Sequence, residues 1–177
     1  LDKAEWSRME ILEMIIRYEE LPFSYIDKLA SLSNEDLSDV LITGELKSEE
    51  TIICDPIPNF IFTRDLVVIV NDHVIITKAA KDARYRENLL TRFIFWEHPM
   101  FKFLQKKNRI INLNLPDLFP PSRHGDSVSI EGGDMMILNQ DYLLIGSSER
   151  STQHAFESIK NVLFEKEVID NVVQVKI

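Results

Sequence analysis

Apolar residues recur at helical spacing through the first fifty positions. Trp6, Met9, Leu12, Ile15 and Ile16 fall on one helical face, with Glu and Arg on the others. Pro22 interrupts the pattern, and Phe23, Ile26, Leu29 and Ala30 resume it on a second, short helix. Ser33 suits an N-cap, with Glu35 and Asp36 in the first turn behind it. Leu37, Val40 and Leu41 continue the apolar face, and Gly44 supplies a C-terminal stop. None of these residues reads as a strand, so residues 1–50 are expected to form a small helical segment.

The period changes after Glu50. Pro56 and Pro58 mark a loop, and Leu66 to Val70 is a nearly continuous β-branched run. Asn71-Asp72 is a turn signal, and His73 to Thr77 is a second such run, which together predict a hairpin. Ala79 to Trp96 is helical by composition, with Pro99 ending it, and Arg109 to Asn114 is a strand. Leu115 to Asp126 contains three prolines and reads as a long loop. The order then recurs: a strand over Met135–Leu138, a turn at Asn139-Gln140-Asp141 and a strand over Tyr142–Gly146. A helix over Glu149–Glu165, with Ala155, Ile159, Val162 and Leu163 as its stripe, leads to a strand over Val168–Ile177.

Counting supports a repeat. Asp65 precedes the turn residue Asp72 by seven positions, and Asp134 precedes Asp141 by seven. Residues 51–177 therefore read as two consecutive ββαβ modules, an α/β arrangement in which each module opens on an acidic residue. At 69 residues from Asp65 to Asp134 the modules are too long for common solenoids, and a radial arrangement fits better. In such an arrangement the residues just before each module's first strand point toward a shared centre.

Composition narrows the function. A formal net charge of -9 argues against a backbone grip on nucleic acid, which needs clustered Lys and Arg. It is compatible with a cationic small molecule. The single cysteine, Cys54, cannot form an internal disulfide. It reads as a packing residue, since no His stands near it and acidic neighbours raise a thiol pKa. No run approaches the ~18 apolar residues of a membrane span, and the N-terminus lacks the form of a signal peptide. No nucleic-acid or membrane partner is expected, and the location is expected to be cytoplasmic. The chain begins at Leu1 rather than Met, as a piece of a longer protein would.

Three clusters carry candidate chemistry: Pro58 to Asp65, Glu131-Gly132-Gly133-Asp134, and Gly146 to Ser151. Asp65 and Glu131 or Asp134 occupy equivalent joints of the two modules. Carboxylates gathered at a narrow centre repel one another unless a cation lies between them. A planar guanidinium, with five N–H donors in fixed directions, suits such a site. On spacing alone these acids read first as capping residues at turns, with Gly132-Gly133 a simple turn. No neighbouring His or Cys supports a transition metal, and the acids are few for calcium. Gly132 and Gly133 also allow close approach of the backbone to a ligand. Asn59 both donates and accepts, as recognition of a zwitterionic amino acid requires; it equally suits the turn after Pro58. Arg84 and Arg150 lie at loop-to-helix junctions, one per module, and either can hold a carboxylate. Taken singly, Arg84 in its Arg-Tyr-Arg-Glu stretch reads as a solvated helix face and Arg150 as a surface pair with Glu149. His73, His98, His124 and His154 pair with no candidate nucleophile, and Ser147 and Ser148 lack the Gly-x-Ser-x-Gly setting.

Taken together, Pro58-Asn59 with Phe62-Thr63-Arg64-Asp65, Glu131-Gly132-Gly133-Asp134, and Gly146 with Ser148-Glu149-Arg150-Ser151 resemble the arginine deiminases. Arg92-Phe93-Ile94-Phe95, followed by His98-Pro99 and Phe101, is similar to that family too. The resemblance implies a five-module α/β-propeller, the pentein fold, with the opening helices as the end of a helical insert. It implies that Asp65 and Glu131 hold a guanidinium and help move its protons. Asn59, Arg84 and Arg150 would hold the α-amino-acid end, Phe62 would line the pocket, and Asp134 would support the site. The implied reaction is attack of a cysteine thiolate on the guanidinium carbon and loss of ammonia to leave a thiouronium intermediate. Hydrolysis then gives citrulline, with no cofactor or metal. The family's first strands, its His motif and its nucleophilic cysteine have no counterpart here, and Cys54 lies in the wrong place for the last. The chain is therefore expected to be an inactive internal fragment of about two-fifths of such an enzyme. Its open edges make self-association an expectation. An amidinotransferase, another guanidino-modifying relative and a non-catalytic homologue are the alternatives.

Overall fold

A computed structural model of the chain describes residues 2–176, with side chains from Arg8 onward. The chain divides into two compact units, Leu1–Asn59 and Phe60–Ile177. The boundary falls after Asn59 rather than at residue 50, because the stretch that follows α3 folds back on the helical unit.

The first unit contains α1 (Asp2–Tyr18), α2 (Tyr25–Ala30) and α3 (Asn34–Thr43). Ile11, Leu12, Ile15 and Ile16 of α1 are buried with Leu29 of α2 and Leu37, Val40 and Leu41 of α3. The Trp6 side chain lies outside the described residues. Arg8 ties α1 to the start of α3, donating to Asn34 Oδ1 at 2.7 Å and to the Leu32 carbonyl at 2.6 Å. Ser33 caps α3, its Oγ accepting from the Asp36 amide at 3.0 Å. Gly44 ends the helix at φ 75°, and a Cβ there would lie 1.9 Å from the Cys54 carbonyl oxygen. The expectation of no strand in this segment is corrected by a small antiparallel hairpin, β1 (Glu45–Leu46) and β2 (Thr51–Ile52). Two residues per strand is too short for any periodicity to register.

The second unit holds the two modules, both ββαβ. The first runs α4 (Thr63–Leu66), β3 (Val67–Val70), β4 (His73–Ile76), α5 (Tyr85–Glu97), α6 (Lys102–Lys106) and β5 (Ile110–Asn112). The second runs β6 (Met135–Ile137), β7 (Tyr142–Ser147), α7 (Gln153–Glu165) and β8 (Asn171–Lys176). In each sheet the first two strands are antiparallel and the third joins parallel to the second. The equal spacing of the acids hides a difference in the turns. Val70 pairs with His73 across Asn71-Asp72, whereas the second turn spans three residues between Leu138 and Tyr142. Asn71 takes φ 51°, as a tight hairpin turn requires.

Two helix starts differ from expectation. Residues 79–81 are not helical; Lys78 forms an antiparallel bridge with Ile130, a 3-10 turn follows over Asp82–Arg84, and α5 starts at Tyr85. The last helix starts at Gln153 rather than Glu149, capped by Thr152, whose Oγ1 accepts from the Ala155 amide at 3.1 Å. Most strands are also shorter than expected, with Arg109, Leu113 and Leu138 falling outside them, while β7 runs one residue further, to Ser147.

Strand alternation divides the core. Val74 and Ile76 of β4 point to one face of the first sheet, with Leu104 and the partly buried Phe95 and Phe101 of the module's own helical segment. Val68, Val70, Ile75 and Ile111 point to the other face. There they join one cluster with Met135, Leu143 and Ile145 of the second sheet and Ala155, Phe156, Ile159 and Leu163 of α7. The central strand β4 is thus buried on both faces, which is why it reads as an unbroken apolar run, whereas on the edge strand β3 Ile69 is 65% exposed. The second sheet is buried on one face only. Met136 and Val173, cross-strand neighbours through Leu144, are 55% and 41% exposed.

Two predictions follow from this packing. Ile75 is fully buried in the central strand. Ile75→Ala should cost about 2–5 kcal/mol in urea-induced unfolding, the range for a deleted core side chain. At the hairpin turn, the hydrogen bond from His73 holds the Asp72 carboxyl below the usual carboxylate range; desolvation opposes this and Arg109, at 2.5 Å, adds to it. A depressed folded-state pKa gives stability that is present above the ordinary pKa and lost as pH falls through the folded value. Asp72→Asn should therefore lower the neutral plateau of the stability–pH curve, leave its acid end little changed, and so flatten the acid limb between them.

Candidate functional site

The two module joints meet at a buried cluster of charges. Asp65 sits in the single turn of α4 just ahead of β3, its backbone carbonyl accepting from Thr77 Oγ1 at 2.6 Å. Glu131 stands immediately before a 3-10 turn over Gly132–Asp134 that leads into β6. Glycine is what lets the second joint lie against the first. A Cβ on Gly132 would lie 1.9 Å from the Arg64 carbonyl oxygen and 2.6 Å from Val68 Cγ2. One on Gly133 would lie 3.2 Å from Asp65 Oδ1. Arg64 crosses the same seam, its Nη2 donating to the Met135 carbonyl at 3.0 Å.

Arg84, in the 3-10 turn before α5, fills the space between the acids. Its Nη1 donates to Asp65 Oδ2 at 3.0 Å and to Glu131 Oε2 at 3.1 Å, while its Nε donates to Glu87 Oε2 at 2.8 Å. Nη2 lies 2.8 Å from the same Glu87 oxygen, but off the hydrogen-bonding angle, so its hydrogens have no acceptor. Asn88 fixes the approach to this turn, accepting from the Ala79 amide at 3.0 Å and donating to the Thr77 carbonyl at 3.3 Å. Burial opposes the charge on Arg84, but the hydrogen bonds to Glu87 and Asp65 and the attraction of Glu131 outweigh it. Its pKa is raised above the ordinary value, and it stays protonated.

Arg150 reaches the cluster from outside. Its Nη1 donates to Glu131 Oε2 at 3.2 Å, and its side chain is 54% exposed where that of Arg84 is 6%. The loop that carries Arg150 is braced by Asp134, whose Oδ2 accepts from Ser148 Oγ at 2.6 Å and Ser151 Oγ at 2.5 Å. Ser148 Oγ in turn accepts from the Arg150 amide at 3.0 Å, and Ser151 Oγ from the Glu131 amide at 3.4 Å.

The structure thus brings together Asp65, Glu131, Arg84 and Arg150, and places Asp134 one step behind them. Phe62, next to α4, is 57% exposed. Asn59 is half-buried at the end of the first unit. Arg84 is not on a solvated helix face, because Arg84, Arg86, Glu87 and Asn88 are all buried. Nor is Arg150 a simple partner of Glu149. Sequence reasoning passed over Glu87, which is fully buried. The signal available for it was its spacing, three residues after Arg84 across a helix start. Chemically, the cluster seats a planar cation between two carboxylates that can also accept protons. A hollow of about 640 Å³, lined by residues including Asp72, Asp141, Glu167 and Asp170, lies at the other end of the strands, among the turns.

Replacing either glycine tests how much the site depends on this close approach. Gly132→Ala should push the joints apart, lowering the melting temperature by the equivalent of about 1–3 kcal/mol, the typical cost of overpacking. Gly133→Ala faces only the tip of a side chain and should cost distinctly less. Equal losses for the two in thermal unfolding would show that Gly132 has no special role.

The family profile described as arginine deiminase matches residues 23–177. An arginine deiminase of Borrelia recurrentis is 29% identical over 187 aligned residues, which cover 97% of this chain and 42% of the relative. One from Bacillus cereus is 35% identical over 155 residues, covering 78% of this chain and 35% of the relative. The chain thus spans well under half the length of the curated relatives it matches. Similar solved structures include a mutant dimethylarginine dimethylaminohydrolase from Pseudomonas aeruginosa complexed with citrulline (21% identity, TM-score 0.47, 67% of this chain and 39% of that one). Another is an amidinotransferase from Microseira wollei (15% identity, TM-score 0.46, 64% of this chain and 34% of that one). With its profile matched over most of its length, the chain belongs to the arginine deiminase family.

Proposed function

We propose that this chain supplies the guanidinium-holding part of an enzyme that hydrolyses the guanidinium of arginine to citrulline and ammonia. The observation that carries this reading is the convergence of Asp65 Oδ2 and Glu131 Oε2 on a single guanidinium nitrogen, at 3.0 and 3.1 Å. A pair of carboxylates so placed is complementary to a guanidinium by charge and by donor geometry. Arg150, exposed at the rim, and Arg84 are the groups that can take the α-carboxylate, with Asn59 and Phe62 as further contacts and Asp134 as a brace. In the reaction, a cysteine thiolate from outside this chain attacks the guanidinium carbon. The C–N bond breaks as the departing nitrogen takes up a proton and leaves as ammonia. Water then adds to the thiouronium carbon, and the C–S bond breaks to release citrulline and regenerate the thiolate. Asp65 and Glu131 hold the cation and relay the protons in both halves. The ββαβ modules of the second unit belong, in this reading, to a closed ring of such modules, and the enzyme works in the cytoplasm.

The test uses the full-length protein. It should release citrulline and ammonia from arginine. Asp65→Asn and Glu131→Gln should each lower kcat by at least about 10²-fold, as loss of a proton-transfer group does, with the circular dichroism spectrum unchanged. Failure of the unaltered full-length protein to release citrulline from arginine would refute the proposal. Turnover only on another guanidino compound, or transfer of the amidino group to an amine, would move it to a different branch of the same chemistry.

A further inference from the structure

Arg84 holds the place that the proposed function gives to the substrate. Asp65 Oδ2 and Glu131 Oε2 both contact its Nη1, so the gap between them is already filled by a guanidinium. Gly133 walls the other oxygen of Asp65. Two guanidinium groups cannot share this gap, because like charges in contact in a poorly solvated site repel strongly. We propose that Arg84 is the resting occupant of the guanidinium seat and that ligand binding is an exchange. Nη1 of Arg84 leaves Asp65 and Glu131 as the incoming guanidinium arrives, and turns to a carboxylate that the ligand itself carries. The inference rests on Asp65 and Glu131 being guanidinium holders.

Glu87 makes the exchange mechanically possible. It grips Arg84 through one oxygen on the Nε side, away from Nη1, so the far nitrogen can swing while the Nε bond is kept. Glu87 is fully buried and needs a cation in both states. The resting arrangement also leaves Nη2 of Arg84 poorly served, since it lies 2.8 Å from the Glu87 oxygen that Nε already uses and makes no well-directed hydrogen bond to it. A bidentate carboxylate would satisfy Nη1 and Nη2 together. Arg84 is thereby a specificity-determining residue. A guanidino ligand with a carboxylate gives the displaced arginine a partner, whereas one without leaves a buried charge unpaired.

The exchange can be tested by titration calorimetry on the 177-residue chain, with L-arginine and with L-argininamide, which keeps the guanidinium but not the carboxylate. The unaltered chain should prefer arginine by about tenfold or more, the value of one good charge-assisted contact. The double variant Arg84→Met with Glu87→Gln removes the buried cation and the carboxylate that anchors it, and leaves Asp65 and Glu131, with Arg150 still on Glu131, as an open seat for the ligand's guanidinium. It should bind argininamide about tenfold more tightly than the unaltered chain does and lose its preference for arginine. If it binds argininamide no more tightly, Arg84 does not block the seat and the exchange is wrong, while the reading of the acids stands. If neither ligand binds either form, the reading of the acids falls and the exchange with it. A second measurement needs no variant: the Nε–H NMR resonance of Arg84 should move on saturation with arginine. An unmoved resonance in the presence of bound arginine overturns the proposal, including where the double variant does not fold.

Discussion

The close approach of Gly132 to the Arg64 carbonyl sets the geometry on which the rest of the site depends. It brings the start of the second module onto the start of the first, and so places Glu131 on the same nitrogen that Asp65 contacts. Any side chain at 132 would meet backbone, which cannot swing aside as a flexible side chain can. The carboxylates themselves contribute nothing to this closeness and would separate without a cation. Arg84 therefore acts as packing and as counter-charge at once, and the acidic joints can stay buried only because a guanidinium lies among them.

The site is layered by exposure. Glu87, Glu131 and Arg84 lie innermost, Asp65 next, and Arg150 at the surface. Ion pairs at the surface contribute little to stability, whereas breaking a buried pair is costly because it strands a charge. The Nε bond between Arg84 and Glu87 accordingly holds the architecture, and Arg150 stands exposed to what binds. Asp134 belongs to neither layer. It spends its hydrogen-bonding capacity on Ser148 and Ser151, converting what composition suggested was the start of a helix into a loop of fixed shape.

Much of the fold was legible in the sequence because its signals are local. The β-branched runs at 66–70 and 73–77, the Asn71-Asp72 turn, the Ser33 cap and the Gly44 stop each act through neighbours within a few residues. What was not legible depends on partners far along the chain. Residues 79–81 compose a good helix but follow Lys78, which is drawn into a bridge with Ile130, and the Ala79 amide is taken by Asn88. Glu149 to Ser151 are held off α7 by Asp134. The acids and arginines of the site could be named from spacing and resemblance. That Arg84 would turn inward to Glu131, 47 residues away, could not, because a contact at that range exists only once the two joints have closed.

The sharing of one core between the modules has a consequence for how the chain is made. The face of the first sheet formed by Val68, Ile75 and Ile111 is closed by residues of the second module, α7 among them. Gln153, the start of α7, lies forty-one positions after Asn112, the end of β5. At ribosomal rates of roughly 5–20 residues per second, that face stays open to solvent for roughly 2–8 s after the first module has emerged. It is an apolar β-surface during that interval, the kind that pairs with other chains or is sheltered by a chaperone. The proline-rich stretch from Leu115 to Asp126 lengthens the wait. The order of synthesis thus leaves the inner face of the first sheet, buried in the finished unit, as its most vulnerable part while the chain is still growing.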